Sequence, residues 1–171
     1  HVIPAIPADV NAAFFLVQHM PGSFTESFAK RLDSLSPLRV VEVEAGMEVL
    51  PGHCYVGRGD YHMTVHRNAS GLPVIRTPSR PDTLFRPSAD VTMDSVLGVF
   101  GGPKTVGVLM TGIGSDGADA MVRIKKAGGY TIAESEESAV VFGMPREAIE
   151  RGGASTVLPS WEIASAILRR L

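Results

Sequence analysis

The chain has 171 residues, of which 44% are hydrophobic and 20% are charged, and its net charge at pH 7 is −2. This length fits one domain with a single sizeable core, and no apolar stretch approaches the roughly 20 residues of a membrane helix. Acidic and basic residues are mixed along the chain, so the basic surface of a nucleic-acid binder is lacking. The single cysteine, Cys54, excludes an internal disulfide and is typical of a reducing compartment. We therefore expect a cytoplasmic protein that neither binds nucleic acid nor inserts into a membrane.

The first predicted elements are a strand and a helix. Residues 12–18 form an apolar run that ends at His19, which is typical of a buried strand. Ser23 and Glu26 then form a capping-box pattern, and apolar residues continue from there at helical spacing. This pattern predicts a helix that ends at about Leu35.

The middle of the chain predicts short strands. Residues 38–43 are expected to form one strand, and the Pro51-Gly52 pair separates this strand from the next ones. Three short runs after that pair predict an antiparallel β excursion: 53–56, 61–65 and 72–75. Residues 76–87 contain three prolines and are expected to form an ordered surface loop.

The second half of the chain predicts a regular alternation of helices and strands. Ser88, Asp116 and Ser160 are predicted N-caps of three helices, and Pro145 marks the start of another. The predicted strands of this half are 105–110, 130–133 and 155–158. Such alternation favours a doubly wound α/β fold: a mainly parallel sheet flanked by helices, with the short antiparallel excursion in the middle.

His19 and Asp116 each come after an apolar run. Because parallel strands end at one edge of a sheet, where α/β folds carry their chemistry, these residues are candidates for two parts of a hydrolase triad. Each also has an ordinary structural interpretation, Asp116 as a helix cap and His19 as a hydrogen-bonded histidine at a strand end. Gly112 and Gly114 allow a tight turn whose N–H groups approach a ligand, as in an oxyanion hole.

Other types of site are less favoured by the sequence. His53, His62 and His66 do not have the spacing of a zinc site, so no metal is predicted. Cys54 lies inside an apolar strand, which is typical of an inert buried thiol. The turn 111–117 lacks the lysine of a phosphate-binding loop.

Seven motifs occur in fixed order and spacing from one end of the chain to the other. They are Gln18-His19-Met20-Pro21, Phe24-Thr25 with Ser27-Phe28-Ala29, Leu50-Pro51-Gly52, Gly59-Asp60 with His62-Met63, Arg86-Pro87-Ser88 with Asp90, residues 109–118 and residues 141–149. In these motifs the chain resembles the catalytic domain of CheB-type protein-glutamate methylesterases, the adaptation enzymes of bacterial chemotaxis. It departs from the family pattern at Arg58, where proline is usual, and at Ile113, where methionine is common.

The resemblance implies a Ser-His-Asp mechanism in which His19 and Asp116 are catalytic. It also implies that Gly112, Ile113 and Gly114 lie near the ester and its oxyanion, and that no cofactor is needed. The family serine lies in a Gly-Ala-Ser-Thr-Gly-Gly turn that should precede residue 1. Residues 153–156 repeat part of those letters, but they match the last strand of the family instead.

The implied function is to hydrolyse glutamate methyl esters, and to deamidate glutamines, in the helical cytoplasmic part of methyl-accepting chemotaxis receptors. Residues 1–171 are then one methylesterase catalytic domain that lacks its first strand, the serine turn and the start of its first helix. Many family members carry a receiver domain N-terminal to this region. A polypeptide of these residues alone is expected to be inactive, and the alternative is a catalytically inactive receptor-binding or regulatory module of the same fold.

Overall fold

The fold is given by a computed structural model that describes residues 1–171. Its contacts divide the chain into two compact units. The N-terminal unit consists of residues 3–88 with Leu171, and the C-terminal unit consists of residues 89–170 with residues 1–2. Among the helices, none combines the length and the apolar character needed to cross a bilayer.

The N-terminal unit combines a parallel sheet with a hairpin. After a 3-10 turn at Ile3–Ala5, its elements are β1 Phe14–Leu16, α1 Gly22–Leu35, β2 Arg39–Glu42, β3 His53–Val56, β4 Thr64–Arg67 and β5 Pro73–Arg76. Strand β3 lies in the middle of the sheet and pairs in parallel with β1 and β2. Strands β4 and β5 pair with each other in the antiparallel direction.

The core of this unit lies around β3. Cys54, Tyr55 and Val56 are all buried, at most 2% exposed, because a central strand covered on both faces exposes neither side. Helix α1 packs against β2 and buries Thr25 and Ala29.

The C-terminal unit is a regular α/β arrangement. Its elements are α2 Ala89–Phe100, a 3-10 turn Gly102–Lys104, β6 Val106–Leu109, α3 Ala118–Lys126, β7 Tyr130–Glu134, α4 Gly143–Glu150, β8 Thr156–Leu158 and α5 Ser160–Leu168. The three strands are parallel in the order β6-β7-β8. Its core includes a cluster formed by Leu109, Ala118, Met121, Met144 and Ala148.

The predicted fold class is confirmed: mainly parallel sheets flanked by helices, with a small antiparallel sheet. One detail of the prediction is wrong. Residues 53–56 form β3, the central strand of a parallel sheet, and only β4 and β5 form the antiparallel excursion. Local sequence does not specify the direction of pairing, since a short apolar run suits either kind of sheet.

Three predicted helix caps are also wrong. The N-cap residues are Pro21 for α1, Gly117 for α3 and Pro159 for α5, and none makes a side-chain cap hydrogen bond. Ser23 and Ser160 therefore lie inside the helices that they were expected to cap. Helix α4 likewise begins at Gly143, two residues before Pro145.

Candidate functional site

His19 lies in the N-terminal unit, in the loop after β1. Its imidazole stacks on the ring of Phe85, with centroids 4.2 Å apart and an interplanar angle of 12°. The preceding strand is held at its end by Gly57, whose N–H donates to the carbonyl of Leu16 at 2.9 Å. The ring of His19 is thus oriented by an aromatic face at the carboxyl end of a parallel strand.

The loop after His19 is packed against the Gly59-Asp60 motif. A Cβ placed on Gly59 would lie 2.3 Å from the nitrogen of Gly22, so only glycine fits this contact. The N–H of Gly59 donates to Thr25 Oγ1 at 3.2 Å, and this hydroxyl donates to the Glu42 carboxylate. Thr25 is fully buried. The motifs at residues 24–29 and 59–63 therefore serve to fix the backbone on the C-terminal side of His19.

Asp116 lies in the C-terminal unit, in the turn between β6 and α3. Its two carboxylate oxygens accept hydrogen bonds from the N–H groups of Ala89, at 2.6 Å, and Asp90, at 3.1 Å. Asp116 therefore caps the N-terminus of α2, which is distant in sequence, and not α3 as predicted. Its negative charge at a helix N-terminus is stabilised by the helix dipole.

Asp90 reciprocates this arrangement at the N-terminus of α3. Its carboxylate accepts hydrogen bonds from the N–H groups of Ala120, at 2.7 Å, and Gly117. Burial raises the pKa of Asp90, the backbone hydrogen bonds oppose that shift, and the charge of Asp116 adds to it. The two aspartates thus lock α2 and α3 together.

The turn that carries Asp116 is also bonded to residues 141–144. Gly112 N–H donates to the carbonyl of Val141 at 3.0 Å, and Met144 N–H donates to the carbonyl of Gly112 at 2.9 Å. The Gly112 N–H is thus used within the fold and is not available to a ligand. The N–H groups of Ile113 and Gly114, the other two residues of the predicted neighbourhood, make no backbone hydrogen bond. Ile113 is 73% exposed.

Glu134 is a residue of this site that the sequence did not identify. It is only 2% exposed, and its carboxylate accepts the N–H of Thr111 at 2.8 Å and the hydroxyl of Ser138 at 2.8 Å. A buried carboxylate at the end of β7 therefore holds the first residue of the aspartate turn. The sequence offered one indication of this residue, since Glu134 comes after an apolar run, as His19 and Asp116 do.

Cys54 and Ser155 are not nucleophiles in this structure. Cys54 is fully buried, and desolvation raises the pKa of its thiol to about 12, so the reactive thiolate is suppressed. Ser155 precedes β8, and its hydroxyl is 3.0 Å from Thr131 Oγ1 and accepts the Thr131 N–H at 3.2 Å. It is a structural residue beside a strand.

The remaining histidines each lie within hydrogen-bond distance of an oxygen. His53 Nδ1 lies 3.0 Å from the carbonyl of Pro51, and His62 Nε2 lies 2.8 Å from that of Pro81. His66 Nε2 lies 3.0 Å from the hydroxyl of Thr64. No cluster of three or more histidine, cysteine or acidic side chains with the geometry of a metal site occurs.

Comparison with known proteins gives concordant results. The sequence profile of a family described as CheB methylesterase matches residues 1–167. A protein-glutamate methylesterase/protein-glutamine glutaminase of Syntrophomonas wolfei is 56% identical over 168 residues, which are 98% of this chain and 47% of the relative. One of Archaeoglobus fulgidus is 47% identical over 170 residues, which are 99% of this chain and 48% of the relative.

A solved structure agrees with the sequence relatives. The crystal structure of the Thermotoga maritima CheB methylesterase catalytic domain superposes with a TM-score of 0.95 at 38% identity, covering 99% of this chain and 89% of that domain. The chain spans about half the length of the curated relatives that it matches. On the profile match, the sequence identities and the shared fold, the chain belongs to the CheB methylesterase family.

Proposed function

We propose that residues 1–171 form most of the catalytic domain of a protein-glutamate methylesterase and protein-glutamine glutaminase. The observation that carries this proposal is the family match over residues 1–167, with histidine and aspartate present at both motif positions. The reaction hydrolyses a glutamate methyl ester to glutamate and methanol, or a glutamine side chain to glutamate and ammonia. Both are acyl transfers to water, so one site serves for both.

In the proposed mechanism a serine hydroxyl attacks the ester carbonyl. His19 accepts the serine proton and returns it to the departing methanol, and water then releases the acyl group by the same steps. Asp116 holds the required tautomer of His19 and stabilises the imidazolium. The N–H groups of Ile113 and Gly114 are available to stabilise negative charge that develops nearby.

We propose that the serine lies on a segment outside these 171 residues. The chain covers 89% of the solved catalytic domain, which leaves part of such a domain unaccounted for. Strand β1 forms one edge of its sheet, and β6 forms one edge of its own sheet. A further parallel strand at one of these edges would end beside the loop of a candidate residue, since His19 comes after β1 and Asp116 comes after β6.

The proposed partner is the helical cytoplasmic part of a methyl-accepting chemotaxis receptor. A receiver domain N-terminal to the catalytic domain is part of the same proposal, since the curated relatives are about twice as long as this chain. The cytoplasm is the proposed location, because that is where this substrate lies.

The direct test uses a form of the protein extended at its N-terminus and a receptor carrying labelled methyl esters. Methanol release is measured for the parent and for the variants His19→Gln and Asp116→Asn. Each variant should lower kcat by at least about a thousandfold. His53→Gln is the matched control, because His53 is a histidine outside the proposed site, and it should retain the parent rate.

A double variant tests whether His19 and Asp116 act in one site. Residues that act as a unit have non-additive effects, so the double variant should be little slower than the His19 variant alone. Multiplicative losses would contradict a shared catalytic role. Near-parental rates in either single variant would contradict the mechanism, and an extended protein without methanol release would support the catalytically inactive alternative.

A further inference from the structure

A cleft in the C-terminal unit adjoins the turn that carries Asp116. It has a volume of about 260 Å³ and is lined by Gly114, Ser115, Gly143, Arg146, Glu147 and Arg151. Ser115 is the chain neighbour of Asp116, so their Cα atoms are about 3.8 Å apart. The cleft is therefore formed in part by the turn that carries the proposed catalytic aspartate.

Packing accounts for four residues of the motif 141–149. Met144 and Ala148 belong to the core cluster, and Pro145 is buried beside them. Gly143 packs on the aspartate turn, since a Cβ there would lie 2.7 Å from the carbonyl oxygen of Gly112. These packing roles leave Arg146 and the charged residues near it to be explained.

Of the two arginines that line the cleft, Arg151 forms ion pairs and Arg146 does not. Arg151 donates to Asp119 Oδ1 at 2.8 Å and to Glu147 Oε2 at 2.9 Å, and these hydrogen bonds raise its pKa. Both carboxylates are thereby used by Arg151. Arg146 is exposed and makes no ion pair or side-chain hydrogen bond within the structure, so its positive charge is available to a ligand.

We propose that this cleft binds a carboxylate of the substrate protein, with Arg146 as its ion-pair partner. The inference rests on the proposed function, because it concerns recognition of the same substrate. The planar guanidinium presents paired N–H donors that match a carboxylate. Since the cleft adjoins the Asp116 turn, we expect the recognised carboxylate to be close in sequence to the esterified glutamate. Arg146 thereby selects acidic substrate segments.

The experiment compares two helical peptides that each carry one glutamate methyl ester. One has glutamates four residues before and after the ester, and the other has alanines at those positions. Hydrolysis is measured with the N-terminally extended protein, as the parent, Arg146→Gln and Lys126→Gln. Lys126 is the matched control, because it is an exposed helical cation without an ion pair and its substitution removes the same charge.

For the acidic peptide, Arg146→Gln should lower kcat/KM about two- to fivefold, through KM with kcat unchanged. Both proteins should hydrolyse the alanine peptide equally, Arg146→Lys should recover part of the loss, and high salt should remove the difference. The Lys126 variant should match the parent on both peptides. Equal losses on the two peptides, or no loss on either, would overturn the proposal.

Binding measured without turnover separates this proposal from the proposed function. Fluorescence anisotropy of both peptides is recorded with an extended protein whose catalytic serine is replaced by alanine. The Kd of the acidic peptide should rise about two- to fivefold in Arg146→Gln, and the Kd of the alanine peptide should not change. If this difference in Kd appears but the parent hydrolyses neither ester, carboxylate binding in the cleft is supported and the proposed function is contradicted. If the Kd is insensitive to Arg146, the cleft proposal fails even in an active enzyme.

Discussion

Replacement of Asp116 should destabilise the fold as well as abolish turnover. Its carboxylate accepts two backbone N–H groups at the start of α2, at 2.6 and 3.1 Å. Loss of a side-chain cap costs up to about 2 kcal/mol, and loss of the negative charge at the helix N-terminus adds up to about 1 kcal/mol. Ala89 is only 6% exposed, so water replaces its lost hydrogen bond poorly. We therefore expect Asp116→Ala to lower the free energy of unfolding by about 3 kcal/mol.

The assay is equilibrium urea unfolding together with thermal melting. For a chain of this length each kcal/mol corresponds to about 2–4 °C in Tm, so Asp116→Ala should melt roughly 6–12 °C below the parent. Asp116→Asn keeps one acceptor oxygen but loses the charge and the second acceptor, and should lose about 2 kcal/mol. This difference separates the capping role from the proposed catalytic role, since both variants should lack activity.

Asp94→Ala provides the control for this comparison. Asp94 lies on the exposed side of α2 and is bonded to Arg123 at 2.7 and 2.8 Å, so its loss should cost at most about 1 kcal/mol, as for other surface ion pairs. If Asp116→Ala unfolds within about 0.5 kcal/mol of the parent, or no more easily than Asp94→Ala, the carboxylate does not cap α2 in the way that the structure shows.

Three further predictions concern packing, pH and thiol reactivity. Gly143→Ala should destabilise the protein by about 1–3 kcal/mol in urea unfolding, because its Cβ would lie 2.7 Å from a backbone oxygen. The control is Gly98→Ala inside α2, which should be stabilising because its Cβ meets nothing within 4 Å. Equal effects of the two substitutions would contradict the contact at Gly143. Burial raises the pKa of Asp90 above its ordinary value of 3.8, so the stability that its protonated form contributes is present at about pH 3 and is lost as pH rises through the raised pKa. The unfolding free energy of the parent minus that of Asp90→Asn should accordingly fall as pH rises above 3.8, and a difference that rises with pH would reverse the assigned sign. Since burial raises the pKa of Cys54 to about 12, its thiol should resist iodoacetamide at about pH 8 until urea unfolds the chain; stoichiometric labelling of the native protein would disprove its burial.

Much of the fold could be predicted because the local pattern and the tertiary structure agree. The apolar runs before His19 and before the aspartate turn form β1 and β6, and the alternation of the second half forms the parallel sheet of the C-terminal unit. The strand at residues 53–56 has the predicted bounds but belongs to the other kind of sheet. Pairing direction depends on which distant strands flank it, and its own residues do not encode their identity.

The candidate site shows the same division. The positions of His19 and Asp116 at strand ends were predictable from the sequence, since periodicity locates the end of a strand. The hydrogen bonds of Asp116 could not be predicted, because helix-cap statistics assign an aspartate to the helix that comes after it. Its carboxylate oxygens instead accept hydrogen bonds from N–H groups 26 and 27 residues away in sequence. The sequence did not distinguish Glu134 and Arg146 from other charged residues. The role of Glu134 depends on its burial, and that of Arg146 depends on the lack of an ion-pair partner in the folded chain.

The sequence by itself determined the succession of strands and helices, the residue types at the strand ends and the family to which the chain belongs. Only the tertiary structure decided that Asp116 and Asp90 cap each other's helices, that Glu134 holds the aspartate turn and that Arg146 keeps an unmatched charge in a cleft. The physical reason is that periodicity and propensity act between residues near in sequence. Hydrogen bonds and ion pairs between distant elements depend instead on how those elements pack.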